Sequence, residues 1–556
     1  MDYISEIEEI ADESFYSHDF PEGCCDFVVW HFFTVSEDFT RFHFSKVIDN
    51  DPREIMVIVD QIKYSLKHVI KRAISESKRL VVRPRFKIDG DCHRRCFDVL
   101  NKGIEYENLC KLMASLYEDG AEINRSGDVY SVNYKDGVSY GYSALEYLGH
   151  GSEPEADVIG LLYWWISDDE MGVEAEKVFS KIARLKNRRI VYPYEEDKAL
   201  YLANRINQRP KIFPDEFNFS WGGAMETHAM INSLIIRCFY HVLTVCYFSR
   251  KVGLKGGGDS NLVWVVDRKN LIEDIEVLAN VGRKKVECFV EFITYGNRTK
   301  NPGPSLQPLF LSDFGLFYIP CFHLITSNVQ RNILSLYARV NKEKFDSQSG
   351  IFESSMVSRI SKIIPKRYRF KCNEVIRAGG DFEELDLLIF DEVSKFIIVG
   401  EMRWMIPPGD SREVHNKVRA CEEKVLQLHR KVGFVKKNVS SIIGDYIGEF
   451  DFQEWSVGGV VIVEGYAGIK SDKPEIPVVT LSIFKAGVEK GLRLYDFYRW
   501  CCSLCWLPKK GVHYRPFLED FDMGDKRLSK PSMLLLADQA EYFDHVLTTL
   551  ESNSDQ

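Results

Sequence analysis

The chain has 556 residues, of which 45% are hydrophobic and 28% charged, with 36 Phe, 26 Tyr and 9 Trp. That composition suits two or three globular domains with large aromatic cores, and it excludes a disordered or collagen-like chain. A formal net charge of −10 excludes a uniformly basic surface but not a local basic groove, because a nucleic-acid enzyme needs positive charge only where the backbone lies.

The fourteen cysteines are scattered, and Cys238, Cys246, Cys288 and Cys321 sit in apolar runs where a thiol packs as a small hydrophobe. The first ten residues are acidic and lack the basic-then-apolar layout of a secretory signal. Ala229 to Phe248 is the most apolar long stretch, but Asn232, Arg237 and His241 would be costly in lipid, so it reads as a buried helix. These features lead us to expect a cytoplasmic protein with reduced thiols and no membrane partner.

Residues 1–340 read as a mainly helical domain. Ile55–Ile74 and Val173–Leu185 carry helical apolar spacing, whereas 136–142 and 207–220 are punctuated by Gly, Pro, Asn and Asp and read as loops. Gly253 to Asp259 is glycine-rich but lacks the Gly-Lys-Ser/Thr ending of a phosphate-binding loop, and reads as a connector. The proline-rich run 297–308 predicts an exposed loop, and Asn328–Tyr337 resumes a helical pattern. A domain boundary falls near 340, in the charged segment 341–350.

Beyond it the pattern sharpens. A helix is predicted over Ile351–Ile364, closed by Pro365, then a strand over Tyr368–Ile376 and a break at 378–381. Leu385–Phe390 and Lys395–Trp404 are β-rich runs joined by a short hairpin connection. Asp410 and Glu413 resemble a capping box that opens a helix reaching about Lys431. Val457–Glu464 and Ile476–Phe484 read as strands, and Leu494–Cys505 as a helix. The order predicts a mixed α/β sandwich over 341–515, followed by a C-terminal extension over 516–556.

The hairpin carries the chemistry. Reversal around 393 and 394 sets Asp386 opposite Glu401, and cross-strand partners lie close on one face. Two carboxylates there repel unless a cation lies between them, and hard oxygen ligands select Mg²⁺ or Mn²⁺. On this view, removing either acid leaves metal-free stability unchanged or slightly higher. Glu401 and Arg403, two residues apart, share a strand face while Met402 points into the core. A metal that activates water, beside a cation that stabilises charge on phosphate, suits phosphodiester hydrolysis.

Glu353 heads a helical stripe with Val357, Ile360 and Ile364. It is either a third metal ligand or a first-turn acid that favours the helix dipole. On the next helix Lys417, Lys424, Gln427 and Lys431 form a face that either tracks a nucleic-acid backbone or is simply solvated. Cys92, His93 and Cys96 with Cys502 and Cys505 lack a convincing zinc spacing and read as ordinary thiols. Cys321 and His323 would share a strand face, without an evident third ligand.

The run Glu384-Leu-Asp386, apolar strand, hairpin, apolar strand, Glu401-Met-Arg403-Trp404 resembles the PD-(D/E)xK, or restriction-endonuclease-like, nuclease superfamily over about 160 residues. The resemblance implies metal ligation by Asp386 and Glu401, often with a helix acid at the place of Glu353, and catalysis by Asp386, Glu401 and Arg403. The chain departs from the family at Arg403, where lysine is usual; arginine holds phosphate but does not release a proton at useful pH. Either Arg403 acts electrostatically alone, or Lys417 or Lys424 reaches in, or the site is crippled. The expectation is a Mg²⁺-dependent DNA endonuclease, with RNA a second candidate. Its helical domain would recognise substrate, partner or trigger, as in bacterial restriction and anti-phage defence proteins. The alternative is a nuclease-fold scaffold that binds nucleic acid or protein without cleaving.

Overall fold

The structure, a computed structural model, describes residues 3–45, 52–78, 86–117, 121–134, 139–148, 175–179, 182–186, 189–206, 211–254, 259–378, 380–409, 411–448, 455–466, 475–523 and 526–554. The chain is a mixed α/β protein and divides into two compact units, one of residues 1–113 and 153–346 and the other of 114–152 and 347–556. The second unit thus takes in a segment that the sequence reading left in the N-terminal domain. Asp410 and parts of the predicted segments 136–142, 173–185, 207–220 and 253–259 lie outside the described residues.

In the first unit, helices Cys25–Ser45 and Pro52–Glu76 share an aromatic core that includes Trp30, Phe32, Phe33 and Leu66. Helix Ala224–Lys251 is long and apolar enough to cross a membrane, but 89% of its most apolar window is buried within the protein. Two of its buried polar residues are held by partners: Arg237 Nε donates to Asp274 at 2.8 Å, and the His241 ring meets the Asn261 carbonyl at 2.7 Å. Three short strands, Trp264–Asp267, Phe310–Leu311 and Leu316–Ile319, form a small sheet. Cys321 and His323 lie on a short helix, Cys321–Ile325, and not on a strand.

The second unit has two sheets. We number its elements in chain order: β1 (Ala121–Ser126), β2 (Val129–Tyr134), α1 (Ser139–Leu148), α2 (Gly350–Ile363), β3 (Arg369–Ala378), β4 (Asp381–Asp391), β5 (Phe396–Trp404), α3 (Ser411–Lys437), α4 (Val439–Tyr446), β6 (Ser456–Glu464), β7 (Val478–Thr480), α5 (Leu481–Lys490), α6 (Leu494–Ser503), β8 (Tyr514–Met523), β9 (Lys526–Leu535) and α7 (Gln539–Ser554). The central sheet has the order β3-β4-β5-β6-β7. Its first three strands are antiparallel, and β6 and β7 then run parallel to β5. The crossover from β5 to β6 passes through α3, as a parallel connection requires.

Strand alternation explains the two layers. Leu387, Ile389, Ile398 and Met402 face a core shared with α2, α5, α6 and α7. Leu388, Phe390, Ile397 and Val399 face one shared with α3 and α4. Both faces are covered, which accounts for strands that are apolar at nearly every position. The hairpin between β4 and β5 turns through Lys395 in the left-handed region (φ 51°). Buried Asp391 fixes it by accepting from Val393 N–H at 3.0 Å, Ser394 Oγ at 2.6 Å and Leu494 N–H at 2.8 Å.

Two predicted elements change character. The expected strand 476–484 is cut to three residues, because the Thr480 hydroxyl accepts from Ile483 N–H and caps α5. The expected extension 516–556 belongs to the unit itself. β9 pairs with β8 and, in parallel, with β2, and Tyr542, Val546 and Leu550 of α7 are wholly buried in the core.

Helix α3 lies close on β6 because Gly459 clears the way. A Cβ on Gly459 would stand 2.7 Å from Val432 Cγ2 and 3.1 Å from Leu428 Cγ. Gly459→Ala should therefore lower stability by about 1–3 kcal/mol, the usual cost of overpacking. Urea unfolding monitored by tryptophan fluorescence measures this, and an unchanged midpoint would refute the close-packing account.

Candidate metal centre at the fork of the sheet

The β4–β5 ladder runs from Asp391↔Phe396 to Leu387↔Gly400, a register whose next step would pair Asp386 with Glu401. The ladder stops there. The β3–β4 register also passes over this level, going from Cys372↔Leu387 to Glu374↔Leu385 without pairing Asn373 and Asp386. Beyond Gly400, β5 continues to Trp404 against β6, while β4 continues against β3. The sheet forks between Asp386 and Glu401. Asp386 bridges the fork with its side chain, Oδ2 accepting Met402 N–H at 2.8 Å. Alternation slips at the same point: Leu385 and Leu387, two residues apart, belong to opposite cores.

Glu401 points toward α3 and is 1% exposed. Its Oε1 accepts from Lys424 Nζ at 2.7 Å, and its Oε2 from Lys431 Nζ at 2.6 Å. Seven residues separate the two lysines, which puts both on one side of the helix, flanking Leu428 in the same core. Burial, and then the nearby Glu401 carboxylate, push the Asp386 carboxyl up to about 6. The Met402 N–H and the two ammonium groups work in the opposite direction.

Arg403 lies at the edge of this cluster. Its Nη1 is 3.4 Å from Glu353 Oε1, its buried Nε has no hydrogen-bond partner, and the next residue, Trp404, stacks on Phe352 at 3.8 Å between ring centres. Val357, Ile360 and Ile364 are buried in the core on the α2 side of the sheet, so the stripe predicted below Glu353 is present. Glu353 itself is the ion-pair partner of Arg403.

The structure thus sorts the predicted residues. Asp386 bonds to the β5 backbone beside Glu401, and Arg403, further along β5, pairs with Glu353 of α2. Among the described residues, however, no group of three or more His, Cys, Asp and Glu is placed to hold a metal ion. The three-carboxylate set is therefore not assembled, and the candidate donors reduce to Asp386 and Glu401. The basic face predicted on α3 also needs correction. Lys431 is 3% exposed and, like Lys424, is turned inward to Glu401 by the close helix packing, while Lys417 and Gln427 are half-buried. Of the two lysines offered as substitutes for the missing one, Lys424 is in contact with Glu401. The signal for Lys431 was its place between Leu428 and Val432, inside the apolar stripe. None of the fourteen cysteines is in a disulfide.

Comparison with known protein families, with curated proteins and with solved structures finds no match for this chain.

Two stability predictions follow from the charges, with opposite signs. Removing Glu401 relieves its repulsion of Asp386, as the sequence suggested, but strands two lysines. Glu401→Ala should cost about 3–5 kcal/mol, typical of breaking a buried pair. Asp386 has a folded-state pKa near 6, above the ordinary 3.8, so it binds its proton more tightly when folded. Stability should fall as pH rises from 4 through 6. Asp386→Asn, which keeps an acceptor for Met402 N–H, should be more stable than the parent by about 1–3 kcal/mol at pH 8, with no gain at pH 4. Chemical unfolding at pH 4, 6 and 8 reads both variants; a pH-independent effect of Asp386→Asn would contradict the assignment.

Proposed function

We propose that the second unit is a metal-dependent nuclease core that hydrolyses phosphodiester bonds in nucleic acid, with DNA ahead of RNA as substrate. The observation that carries this reading is the meeting, at one fork in a mixed sheet, of Asp386 and Glu401 with Lys424 in hydrogen-bond contact. The order α2-β3-β4-β5-α3-β6 and the run Glu384-Leu-Asp386…Glu401-Met-Arg403 support it by their resemblance to PD-(D/E)xK nucleases.

The donor chemistry fits a hard divalent cation. Two carboxylates suit Mg²⁺ or Mn²⁺, which retain several waters and accept further oxygens from substrate, so a third protein acid is not required. Asp386 and Glu401 would hold the ion. Bound there, it supplies Lewis acidity and a more acidic water.

The remaining roles fall to side chains of this chain. Lys424 is the proposed counterpart of the lysine absent at Arg403, with an ammonium group able to donate to an oxygen on which charge develops. Lys431 holds the other Glu401 oxygen and fixes the direction of that carboxylate. Arg403 keeps an unpartnered Nε–H beside a loose 3.4 Å contact to Glu353, and so has capacity for a phosphate oxygen. The charges of Lys424, Lys431, Asp386 and Glu401 cancel. A divalent cation would leave the site positive, with Arg403 adding to it, and complementary to a phosphodiester anion.

One observation favours a second reading. Both Glu401 oxygens already have lysine partners, as in a nuclease-fold scaffold where ammonium groups stand in for the cation.

Plasmid DNA and RNA incubated with the full chain and Mg²⁺, Mn²⁺ or EDTA separate the readings. On the nuclease reading the parent cleaves only with the metal, and Asp386→Asn and Lys424→Met abolish cutting. Arg403→Ala loses about 100-fold or more, and Arg403→Lys retains activity. On the scaffold reading none cleaves and binding is metal-independent. Full activity in Asp386→Asn would refute the assigned site.

A further inference from the structure

The neighbouring strand departs from regular geometry at the level of the fork. Asn373, at the level of Asp386, has φ 51°, in the left-handed region that asparagine tolerates and β-branched residues do not. It is an exposed residue inside a ten-residue strand, and the register is regular on both sides of it. Pairing fails only at the Asn373–Asp386 level. There, too, the slip in alternation sends Leu385 and Leu387 to opposite cores, and there the Asp386 carboxylate replaces a ladder bond by taking Met402 N–H. Local backbone strain that breaks a ladder beside a functional group is a recurrent way to re-aim a side chain.

We propose that Asn373 is a positioning residue: its left-handed backbone breaks the β3–β4 ladder and so turns the Asp386 carboxylate across the fork toward Glu401. The effect on cleavage and metal binding rests on the nuclease reading, but the effect on Asp386 does not. A β-branched residue would favour extended backbone and a repaired ladder, with Asp386 drawn back into line. Glycine would preserve the left-handed turn without any side chain.

The test uses the full-length chain labelled with ¹⁵N-methionine, in which Met402 is one of 11 methionines and is assigned through Met402→Leu. In the parent its amide proton is bonded to a carboxylate. That resonance should move in Asp386→Ala and move likewise in Asn373→Val, but stay in place in Asn373→Gly. Under the nuclease reading, Mn²⁺ affinity by calorimetry and plasmid cleavage should each fall tenfold or more in Asn373→Val and remain within twofold in Asn373→Gly. An unmoved Met402 resonance in Asn373→Val, or equal losses in the glycine and valine variants, would overturn the proposal. Should the resonances follow the expected pattern in a parent that neither binds metal nor cleaves, the positioning role stands and only the nuclease reading falls.

Discussion

Glu401 lies between Lys424 and Lys431, nearly sealed from solvent, and the rest of the second unit is arranged around that contact. Taking three charges out of water costs several kcal/mol per ion, and only short, well-directed pairs offset it. Those pairs require α3 to approach β6 closely, which is where Gly459 is indispensable: any side chain there would meet Val432 and Leu428. The same helical side carries Leu428 and Val432 into the core and the two ammonium groups onto Glu401. Hydrophobic packing and ion pairing are thus one interface, and a shift of the helix would disturb both at once.

Much of this was legible in the sequence because it is local. The hairpin, its reversal near 394 and the register that brings Asp386 level with Glu401 all follow from apolar runs of known length separated by a turn. The stripe under Glu353 follows from helical spacing in the same way. What was not legible depends on neighbours distant in the chain. The lysines of α3 have the spacing of a solvated face, and their burial is decided by Gly459 on β6, beyond the end of the helix. The pairing of β9 with β2 joins segments almost four hundred residues apart, for which no pattern within either strand gives notice. The strand expected over 476–484 failed for a local reason that was readable: Thr480 is a good N-cap, and the apolar run after it fits a helix as well as a strand.

Polar groups at the fork replace what the broken ladder gives up. Where β4 leaves β5, the backbone N–H of Met402 would lack a partner, and an unpaired buried donor is costly. The Asp386 carboxylate meets that need, and in doing so is tied to the strand that carries Glu401. A carboxylate held this way has lost much of the freedom that a surface acid would have to be fixed on binding a cation or substrate. The burial that enforces this geometry also raises its proton affinity, so position and ionisation are set by the same constraint.

The division of labour between the basic residues follows from their depth. Lys431, sealed under the helix, can only hold Glu401. Lys424 is less buried and shares the same carboxylate, so it can exchange that contact for another anion without leaving Glu401 unpaired, because Lys431 remains. Arg403, at the mouth, is tethered by one long contact to Glu353 and has a guanidinium edge to spare. A phosphate arriving at the fork would therefore meet cations in order of increasing commitment to the fold: Arg403 free to adjust, Lys424 able to switch partner, Lys431 fixed. With the carboxylates held in place beneath it, such a site can reorganise around a substrate while the charge that anchors the sheet to the helix stays satisfied.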